Sequence, residues 1–475
     1  MKKALLGLAG VAALTSGAQA EPAKLTTDAG VLAGTMIDGV RVFKGVPYAK
    51  PPVGDLRWRP PQPTSWSGER DATEFQLPCA QATPSDGSPN LGGVSGSTSE
   101  DCLYLNVWVP KDAKDAPVMV WLYGGAGYLG AGSVPTYDGS AFARDGVIVV
   151  TINYRLGMLG QFAHPALTKA AGQNEPLANF QLMDAVAALQ WVQRNSVALG
   201  ADARNVTIFG QSAGAVLVAA LLSTPPSQGL FHKAIIQSAV PQLGGRRSLT
   251  QAEADGVKFA NVLGLAGADA TPEQLRSLPL DRVISSEARG DGFKNGSYLI
   301  LDGRFRTTTT GDGFKTGLTA DVPLIVGSTN GEFFGPEGYR MAQAASNYGE
   351  APVWHYHFTY VPAWRATEQS GGAPHSAELP YVFNTLRQSA IGSRATAADQ
   401  SVADRLHSCW VAFAKAPSGT RSLSCEGGFV WPARTDESDA IAVFGEKFAI
   451  ARAKPLIDAN ATAFPLPPGV GEPAN

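Results

Sequence analysis

Short apolar runs alternate with longer stretches of helical spacing along this chain, and the alternation predicts strands and helices in turn. Six runs are typical of buried strands: Val118–Leu122, Val147–Ile152, Val206–Phe209, Ala234–Gln237, Val322–Gly327 and Trp354–Thr359. Between two of them, Leu182, Val186 and Leu189 follow one helix face, and Pro176 predicts where that helix opens. Strands that alternate with helices indicate an α/β fold with a mostly parallel central sheet and helices on both faces.

One strand-to-helix junction carries a chemical pattern. The segment Gly210–Gly214 reads Gly-Gln-Ser-Ala-Gly, and a helical pattern follows over Ala215–Leu222. G-x-S-x-G between a strand and a helix predicts a nucleophile elbow, a turn so sharp that side chains at either glycine would collide with backbone. Such a turn holds Ser212 in a strained conformation. It also places the N–H of Ala213 at a helix N-terminus, where it can stabilise an oxyanion.

A serine hydroxyl is a weak nucleophile, so Ser212 needs a base and an acid that orients the base. On an α/β-hydrolase sheet the order along the chain is serine, acid, histidine. We expect His375 to be the base, because it follows a flexible Gly-Gly-Ala-Pro segment that can reach over the sheet. His355 and His357 alternate within a strand and are expected to pack there, and His407 lies in a helical run.

The acid is expected just after a strand between the serine and the histidine. Glu332 follows the run Val322–Gly327 and satisfies that condition. Two other carboxylates compete: Asp302 precedes a glycine and is typical of a turn, whereas Asp321 precedes the strand. A carboxylate at Glu332 would hold one tautomer of the imidazole and stabilise the imidazolium that forms during attack.

The segment Trp121–Gly127 contains three glycines directly after an apolar run. Glycines allow backbone to approach a ligand closely, and α/β hydrolases take a second set of oxyanion donors from the loop after an earlier strand. Alone, the segment could be a plain turn. Its position upstream of an elbow favours the oxyanion interpretation.

Composition excludes several classes of function. The chain has 475 residues, 44% of them hydrophobic and 17% charged, with a net charge of −3. This charge balance does not indicate a basic surface that would bind nucleic acid or an anionic membrane. We find no internal repeat, no metal-spaced Cys/His cluster and no phosphate-binding glycine loop, so we expect neither a metal nor a cofactor. No stretch after the N-terminus approaches the roughly twenty apolar residues of a membrane span.

The first twenty residues have the pattern of a cleaved signal peptide. Lys2 and Lys3 are followed by the apolar stretch Ala4–Gly17 and by Ala18-Gln19-Ala20, which fits a signal-peptidase site. An uncleaved anchor would need a longer apolar run. We therefore expect residues 1–20 to be removed and residues 21–475 to be exported to a bacterial periplasm or beyond.

Four cysteines in an exported chain predict two disulfides, for which three connectivities are possible. Neighbours in sequence favour Cys79–Cys102 and Cys409–Cys425. The first pair would hold the Gly-, Ser- and Pro-rich residues 81–99 as one excursion from the fold. Residues 265–319 form a second irregular stretch, which we expect at the rim of a site.

Together these motifs resemble those of the type-B carboxylesterases, a family that includes the cholinesterases and related lipases. The segments that carry the resemblance are Phe43–Ala49, Pro51–Gly54, Glu100–Val107, Tyr123–Ala126, Asn153–Gly157, Asn179–Trp191 and His375–Phe383. The resemblance extends over nearly all of residues 21–475. It implies a single domain of the α/β-hydrolase fold that hydrolyses small-molecule carboxylic esters without a cofactor.

The resemblance also implies a role for each site residue. By similarity, Ser212 is the nucleophile, His375 the base and Glu332 the acid. Backbone N–H groups of Gly125, Ala126 and Ala213 would form the oxyanion hole, and Cys102 would pair with Cys79. A lipase acting on longer acyl chains and an inactive cholinesterase-like binding module are the alternative interpretations.

Four features depart from the family pattern. Gln211 replaces the usual glutamate beside the serine, Gly127 an aromatic residue after the oxyanion loop, and Ser376 a glycine after the histidine. Only 43 positions separate Glu332 from His375, fewer than the family usually has. The missing segment normally lies over the active-site gorge, so an unusually open site is expected.

Overall fold

The computed structural model describes residues 21–239, 247–285, 299–389 and 391–463. The predicted signal peptide, residues 1–20, lies outside the described residues, as does the part of the predicted rim that spans residues 286–298. Seventeen strands occur in the described residues. They are β1 Glu21–Thr26, β2 Val31–Ile37, β3 Val40–Pro47, β4 Glu69–Asp71, β5 Tyr104–Pro110, β6 Ala116–Leu122, β7 Ile148–Ile152, β8 Ala201–Gln211, β9 Lys233–Gln237, β10 Arg247–Ser248, β11 Ile300–Leu301, β12 Leu324–Thr329, β13 Val353–Phe358, β14 Ser422–Ser424, β15 Val430–Pro432, β16 Ala440–Phe444 and β17 Phe448–Arg452.

The α-helices of the same residues range from single turns to twenty residues. They are α1 Ser140–Arg144, α2 Gly157–Gly160, α3 Pro165–Ala170, α4 Phe180–Leu199, α5 Ala213–Leu222, α6 Leu249–Val262, α7 Pro272–Arg276, α8 Leu280–Val283, α9 Thr310–Thr316, α10 Gly335–Tyr348, α11 Leu379–Val382, α12 Ala397–Lys415 and α13 Ala453–Ala463.

One large sheet organises the molecule. Its order is β1-β2-β3-β5-β7-β6-β8-β9-β12-β13-β16-β17, with β4 paired to β2. Strands β7, β6, β8, β9, β12, β13 and β16 run parallel to one another, and β4 pairs parallel with β2. The other pairings, which involve β1, β2, β3, β5 and β17, are antiparallel. A mostly parallel sheet of this kind confirms the predicted α/β-hydrolase fold.

Both faces of the central strands are covered. Every residue of β6, β7, β9, β12 and β13 is buried, and so is the second half of β8 from Val206 onward. Helix α5 packs on β8 and β9, α10 packs on β12 and β13, and α12 contacts β6 and β8. Since side chains of a strand alternate between faces, burial at every position needs cover on each side.

The antiparallel strands at the N-terminal edge were not predicted from sequence. Strands β2 and β3 are joined by Asp38 and Gly39, whose φ angles are 49° and 76°. Positive φ at both central residues is the signature of a type I′ hairpin turn, and Asp-Gly is among the pairs that favour it. This local signal was present in the sequence.

The long helix α4 begins later than predicted. It starts at Phe180, not at Pro176. The side chain of Asn179 accepts a hydrogen bond from the N–H of Ile300 at 2.9 Å and donates to the Ile300 carbonyl at 2.8 Å. This long-range pairing fixes the residue before the helix in a non-helical conformation, and only the tertiary structure reveals it.

Two disulfides hold local loops. Cys79 is joined to Cys102 across 23 positions, and Cys409 to Cys425 across 16. Within the first loop, the Gln81 side chain donates to the carbonyl of Gly130 at 2.8 Å and accepts from its N–H at 2.8 Å. The loop predicted for residues 81–99 is therefore hydrogen-bonded to the loop that follows β6.

A buried ion pair connects the loop after β7 to α4. Arg155 and Asp184 have side chains that are 3% and 0% exposed, with Nη2 and Oδ1 2.6 Å apart. Asp184 also accepts hydrogen bonds from the backbone N–H and Nε of Arg155. Removing one charge of a buried pair leaves the other uncompensated in a low-dielectric interior, which is strongly destabilising.

We therefore predict that Asp184→Asn lowers the free energy of unfolding by about 3–5 kcal/mol. The matched control is Asp28→Asn, because the Asp28–Arg194 pair is 34% and 46% exposed and should contribute at most about 1 kcal/mol. Urea unfolding of both variants measures the difference. Equal losses in the two variants would contradict the prediction.

Candidate active site

The carboxyl ends of parallel strands meet at one edge of a sheet, and the predicted site residues come together there. Ser212 directly follows β8, and Glu332 lies three residues after the end of β12. His375 lies in the segment that leads from β13 to α11. The topology thus brings together residues that are far apart along the chain.

The turn at Ser212 has the strain expected of an elbow. Its φ and ψ are 55° and −124°, a conformation that residues with a side chain seldom adopt. A Cβ on Gly214 would lie 1.9 Å from the carbonyl oxygen of Leu122, and one on Gly210 would lie 2.7 Å from Gly214. Both positions therefore require glycine. The N–H of Ser212 donates to the carbonyl of Gln237 at 2.9 Å, which secures the strained residue to β9.

His375 and Glu332 form a short hydrogen bond between Nδ1 and Oε2. The other carboxylate oxygen of Glu332 accepts a hydrogen bond from the backbone N–H of Thr329 at 2.9 Å, so both oxygens of the carboxylate are hydrogen-bonded. A carboxylate on Nδ1 selects the tautomer in which Nε2 carries the lone pair that a base needs. Among the described residues, no hydrogen bond is recorded between His375 and Ser212.

The electrostatic environment of His375 favours its protonated form. Burial lowers the pKa of the imidazole, while the hydrogen bond to Glu332 and the charges of Glu332 and Glu378 raise it, and the net shift is upward. An imidazolium is the species that forms when a base takes a proton from serine. The same carboxylates would therefore stabilise the ring in that charged form if His375 acts as the base.

The three backbone N–H groups predicted to form an oxyanion hole, those of Gly125, Ala126 and Ala213, have no recorded hydrogen-bond acceptor among the described residues. Ala213 is the first residue of α5, where the helix dipole adds partial positive charge. Gly125 and Ala126 both have positive φ, at 120° and 54°, which turns their loop out of the strand direction.

Two tyrosines hold the loop that contains Gly125. The hydroxyl of Tyr154 donates to the carbonyl of Tyr123 at 2.6 Å, and the hydroxyl of Tyr123 donates to the carbonyl of Tyr154 at 3.3 Å. Their rings stack with centroids 4.4 Å apart. Since Tyr123 directly follows β6 and Tyr154 lies two residues after β7, this reciprocal pair fixes the loops of two adjacent strands. A bond from the N–H of Gly157 to the carbonyl of Gly127 continues the connection.

The other histidines weighed in the sequence have partners of their own. His355 is buried and stacks on Tyr339, and burial lowers its pKa to about 3. His357 lies 3.4 Å from the hydroxyl of Ser328, and burial lowers its pKa to about 4. His407 contacts the carbonyl of Val382 and the carboxylate of Asp145.

The two other candidate acids, Asp302 and Asp321, accept hydrogen bonds from backbone N–H groups. Asp302 accepts hydrogen bonds from the N–H groups of residues 304 to 306, as its Asp-Gly pattern predicted. Asp321 accepts from the N–H groups of Glu350 and Ala351. Neither carboxylate contacts His375.

Sequence reasoning missed a buried carboxyl beneath the site. Glu378 is fully buried three residues after His375, and its Oε1 accepts from the side chain of Gln237 at 3.3 Å. Gln237 in turn accepts from the indole N–H of Trp410 at 3.2 Å. Burial, followed by the nearby charge of Glu332, raises the pKa of Glu378 to about 7. A lone acid next to the apolar run Leu379–Val382 was the signal available in the sequence.

Titration of Glu378 should lower the free energy of unfolding as the pH rises. Its pKa is raised on folding from 4.5 to about 7, so its contribution is fully present below pH 4.5 and is lost as the pH rises through 7. A shift of this size corresponds to a loss on the order of 3 kcal/mol.

We predict that Glu378→Gln gains stability relative to the wild type as the pH is raised from 5 to 8. Thermal unfolding at both pH values measures this gain, with the exposed-residue variant Glu437→Gln as the control. A difference between Glu378→Gln and wild type that stays constant with pH would show that the carboxyl does not titrate in this range.

Within the described ranges, no group of three or more His, Cys, Asp or Glu side chains could hold a metal ion. No helix in that part of the chain is long and apolar enough to cross a membrane.

Comparison with known proteins shows the family to which the chain belongs. The model of the carboxylesterase family matches residues 21–346 and 332–455. Fumonisin B1 esterase of Sphingopyxis macrogoltabida is 35% identical, over 92% of this chain and 89% of its own length. Para-nitrobenzyl esterase of Bacillus subtilis (strain 168) is 33% identical, over 90% of this chain and 95% of its own.

Solved structures give the same result. A carboxylesterase of Geobacillus stearothermophilus superposes with a TM-score of 0.75 at 30% identity, covering 93% of this chain and 99% of that one. A PNB esterase reaches 0.77 with the same identity and coverage. The chain therefore belongs to the carboxylesterase family and is a carboxylic-ester hydrolase of the α/β-hydrolase fold.

Proposed function

We propose that this enzyme cleaves small-molecule carboxylic esters through a Ser212–His375–Glu332 triad and an acyl-enzyme intermediate. The observation that carries the proposal is the pairing of His375 with Glu332 beside a strained serine at the end of β8. Nucleophile, acid and base follow three different strands, β8, β12 and β13, an arrangement for which packing alone gives no reason.

In the acylation half, Ser212 Oγ attacks the ester carbonyl while His375 Nε2 takes its proton. The carbonyl oxygen becomes an oxyanion, which the N–H groups of Gly125, Ala126 and Ala213 stabilise. The imidazolium, held by Glu332, then protonates the alcohol oxygen as the C–O bond breaks. The alcohol leaves and the acyl group remains on Ser212.

Deacylation uses the same groups with water as the nucleophile. His375 takes a proton from water as the hydroxide equivalent adds to the acyl carbonyl, and the same N–H groups stabilise the second oxyanion. Collapse of this intermediate breaks the bond to Ser212, and His375 returns the proton to Oγ. The carboxylic acid is released and the enzyme is restored.

The short connection between acid and base supports an accessible site. The described residues between Glu332 and His375 form α10, β13 and a short 3₁₀ helix at Ala363–Arg365, with short connections between them. The side chain of His375 is 37% exposed, which is high for a base between strand ends. We infer that an ester can approach the base without the extra cover that longer family members carry there.

We further propose that the enzyme acts outside the cytoplasm, as residues 21–475 of a precursor whose first twenty residues direct export. The two disulfides support this proposal, because such bonds persist mainly in oxidising compartments. Relatives named for a mycotoxin ester and for a para-nitrobenzyl ester support small-molecule substrates.

Ser212→Ala should lower turnover of p-nitrophenyl butyrate by about 10⁴-fold or more, because no other group can form the acyl-enzyme. The control is Ser223→Ala, a buried serine at the opposite end of α5, which should keep activity within a few-fold of wild type. Nitrophenol release measures both, and circular dichroism confirms folding. Wild-type turnover by a folded Ser212→Ala protein would contradict the triad.

Glu332→Gln should lower kcat by about 10³–10⁴-fold, because an amide cannot hold the same tautomer or stabilise the imidazolium. Glu337→Gln is the matched control, since Glu337 is a buried acid five residues on that pairs with Arg340. Steady-state kinetics on p-nitrophenyl butyrate compare the two variants. Similar kcat losses in both would refute the assignment of Glu332.

A further inference from the structure

The side chain of Gln211 contacts His375 but takes no part in the steps above. Gln211 is the last residue of β8 and is 2% exposed. Its Nε2 lies 3.1 Å from His375 Nε2 and 3.4 Å from His375 Nδ1. A side chain in contact with the base can affect catalysis, so the geometry of this contact matters.

The two distances place the amide over the face of the imidazole. The lone pair of His375 Nε2 points away from the ring in the ring plane, so a donor on that line would be much farther from Nδ1 than from Nε2. The two measured distances are nearly equal, so the Gln211 amide nitrogen does not lie along the lone pair of His375 Nε2. In the ring plane, an atom at these distances would collide with the ring carbons, so the Gln211 amide nitrogen lies above the ring.

Packing on the face leaves the in-plane lone pair of His375 Nε2 unobstructed by Gln211. The in-plane edge at Nδ1 is already bound by Glu332. The aromatic ring of Phe334 also contacts the imidazole, with centroids 5.1 Å apart. Gln211 therefore restrains rotation of the ring without competing with the serine for its proton acceptor.

The same side chain reaches the oxyanion loop. A Cβ on Gly124 would lie 2.6 Å from Gln211 Oε1, so the amide fills the space directly against that glycine. The charged groups that act on His375 are Glu332, from the loop after β12, and Glu378, from the start of α11. Gln211 fills the gap between the oxyanion loop and the base while remaining neutral.

We propose that Gln211 is a positioning residue, whose neutral side chain packs between Gly124 and the face of the His375 imidazole and fixes the plane of the ring. The proposal rests on the proposed function, because the orientation of His375 matters only if it is the base. The side chains of glutamine and glutamate have the same size, so size does not explain an amide at position 211. The proposal explains it by charge, because the amide stays neutral against the ring.

Three substitutions separate packing from charge. Gln211→Ala removes the contact and should lower kcat by about tenfold or more with KM nearly unchanged, because the ring is free to turn. Gln211→Met keeps the length and should restore kcat to within a few-fold of wild type. Gln211→Glu adds a carboxylate at the ring, which favours imidazolium and should move the acid limb of kcat/KM up by about one pH unit.

The pH profiles are measured with p-nitrophenyl butyrate at the isosbestic wavelength of nitrophenol. Gln181→Glu, which alters a buried glutamine of α4, is the control and should leave the acid limb in place. If Gln211→Glu does not fold, as judged by circular dichroism, the Ala and Met variants decide the matter through kcat.

Unchanged kcat in Gln211→Ala, equal losses in Gln211→Ala and Gln211→Met, or an unmoved acid limb in folded Gln211→Glu would each overturn this proposal alone. Wild-type turnover that does not depend on Ser212 would instead overturn the proposed function, and this proposal with it. The two failures are therefore distinguishable.

Discussion

The contact between the first turn of α5 and the end of β6 is the constraint on which the site depends. Gly214 lies so close to the carbonyl of Leu122 that no side chain fits between them. This approach forces the chain to reverse sharply at Ser212 and leaves the residue in a conformation that costs about 1–3 kcal/mol. As a result, Ser212 lies at the edge of the sheet where β8 ends, and Ala213 begins α5.

A second layer of contacts keeps this strained turn in place. Gln237 makes two of these contacts. Its carbonyl accepts a hydrogen bond from the N–H of Ser212, and its side chain donates one to Glu378. Tyr123 and Tyr154 fix the neighbouring loops through bonds to each other's backbone. The groups proposed to react therefore lie in loops that are bonded to one another and to the strands, which is the condition for electrostatic preorganisation.

Patterns that are local in sequence predicted much of this arrangement. The apolar runs indicated the central strands, and strand and helix on either side of Gly210–Gly214 predicted the elbow. The choice of His375 depended on the rule of chain order together with the flexible segment before it. Features that depend on long-range contacts were not predicted. The start of α4 is determined by the pairing of Asn179 with residue 300, and the environment of Glu378 exists only once β9, β12 and α12 are packed together.

The disulfides have a consequence for how the chain acquires its structure. Each joins cysteines that are consecutive in the sequence, Cys79 with Cys102 and Cys409 with Cys425. A chain that enters an oxidising compartment N-terminus first meets its native partner each time a second cysteine appears. The native connectivity then forms in order of emergence, without a rearrangement step by thiol–disulfide exchange. Oxidation can therefore precede assembly of the sheet, whose neighbouring strands come from distant parts of the sequence.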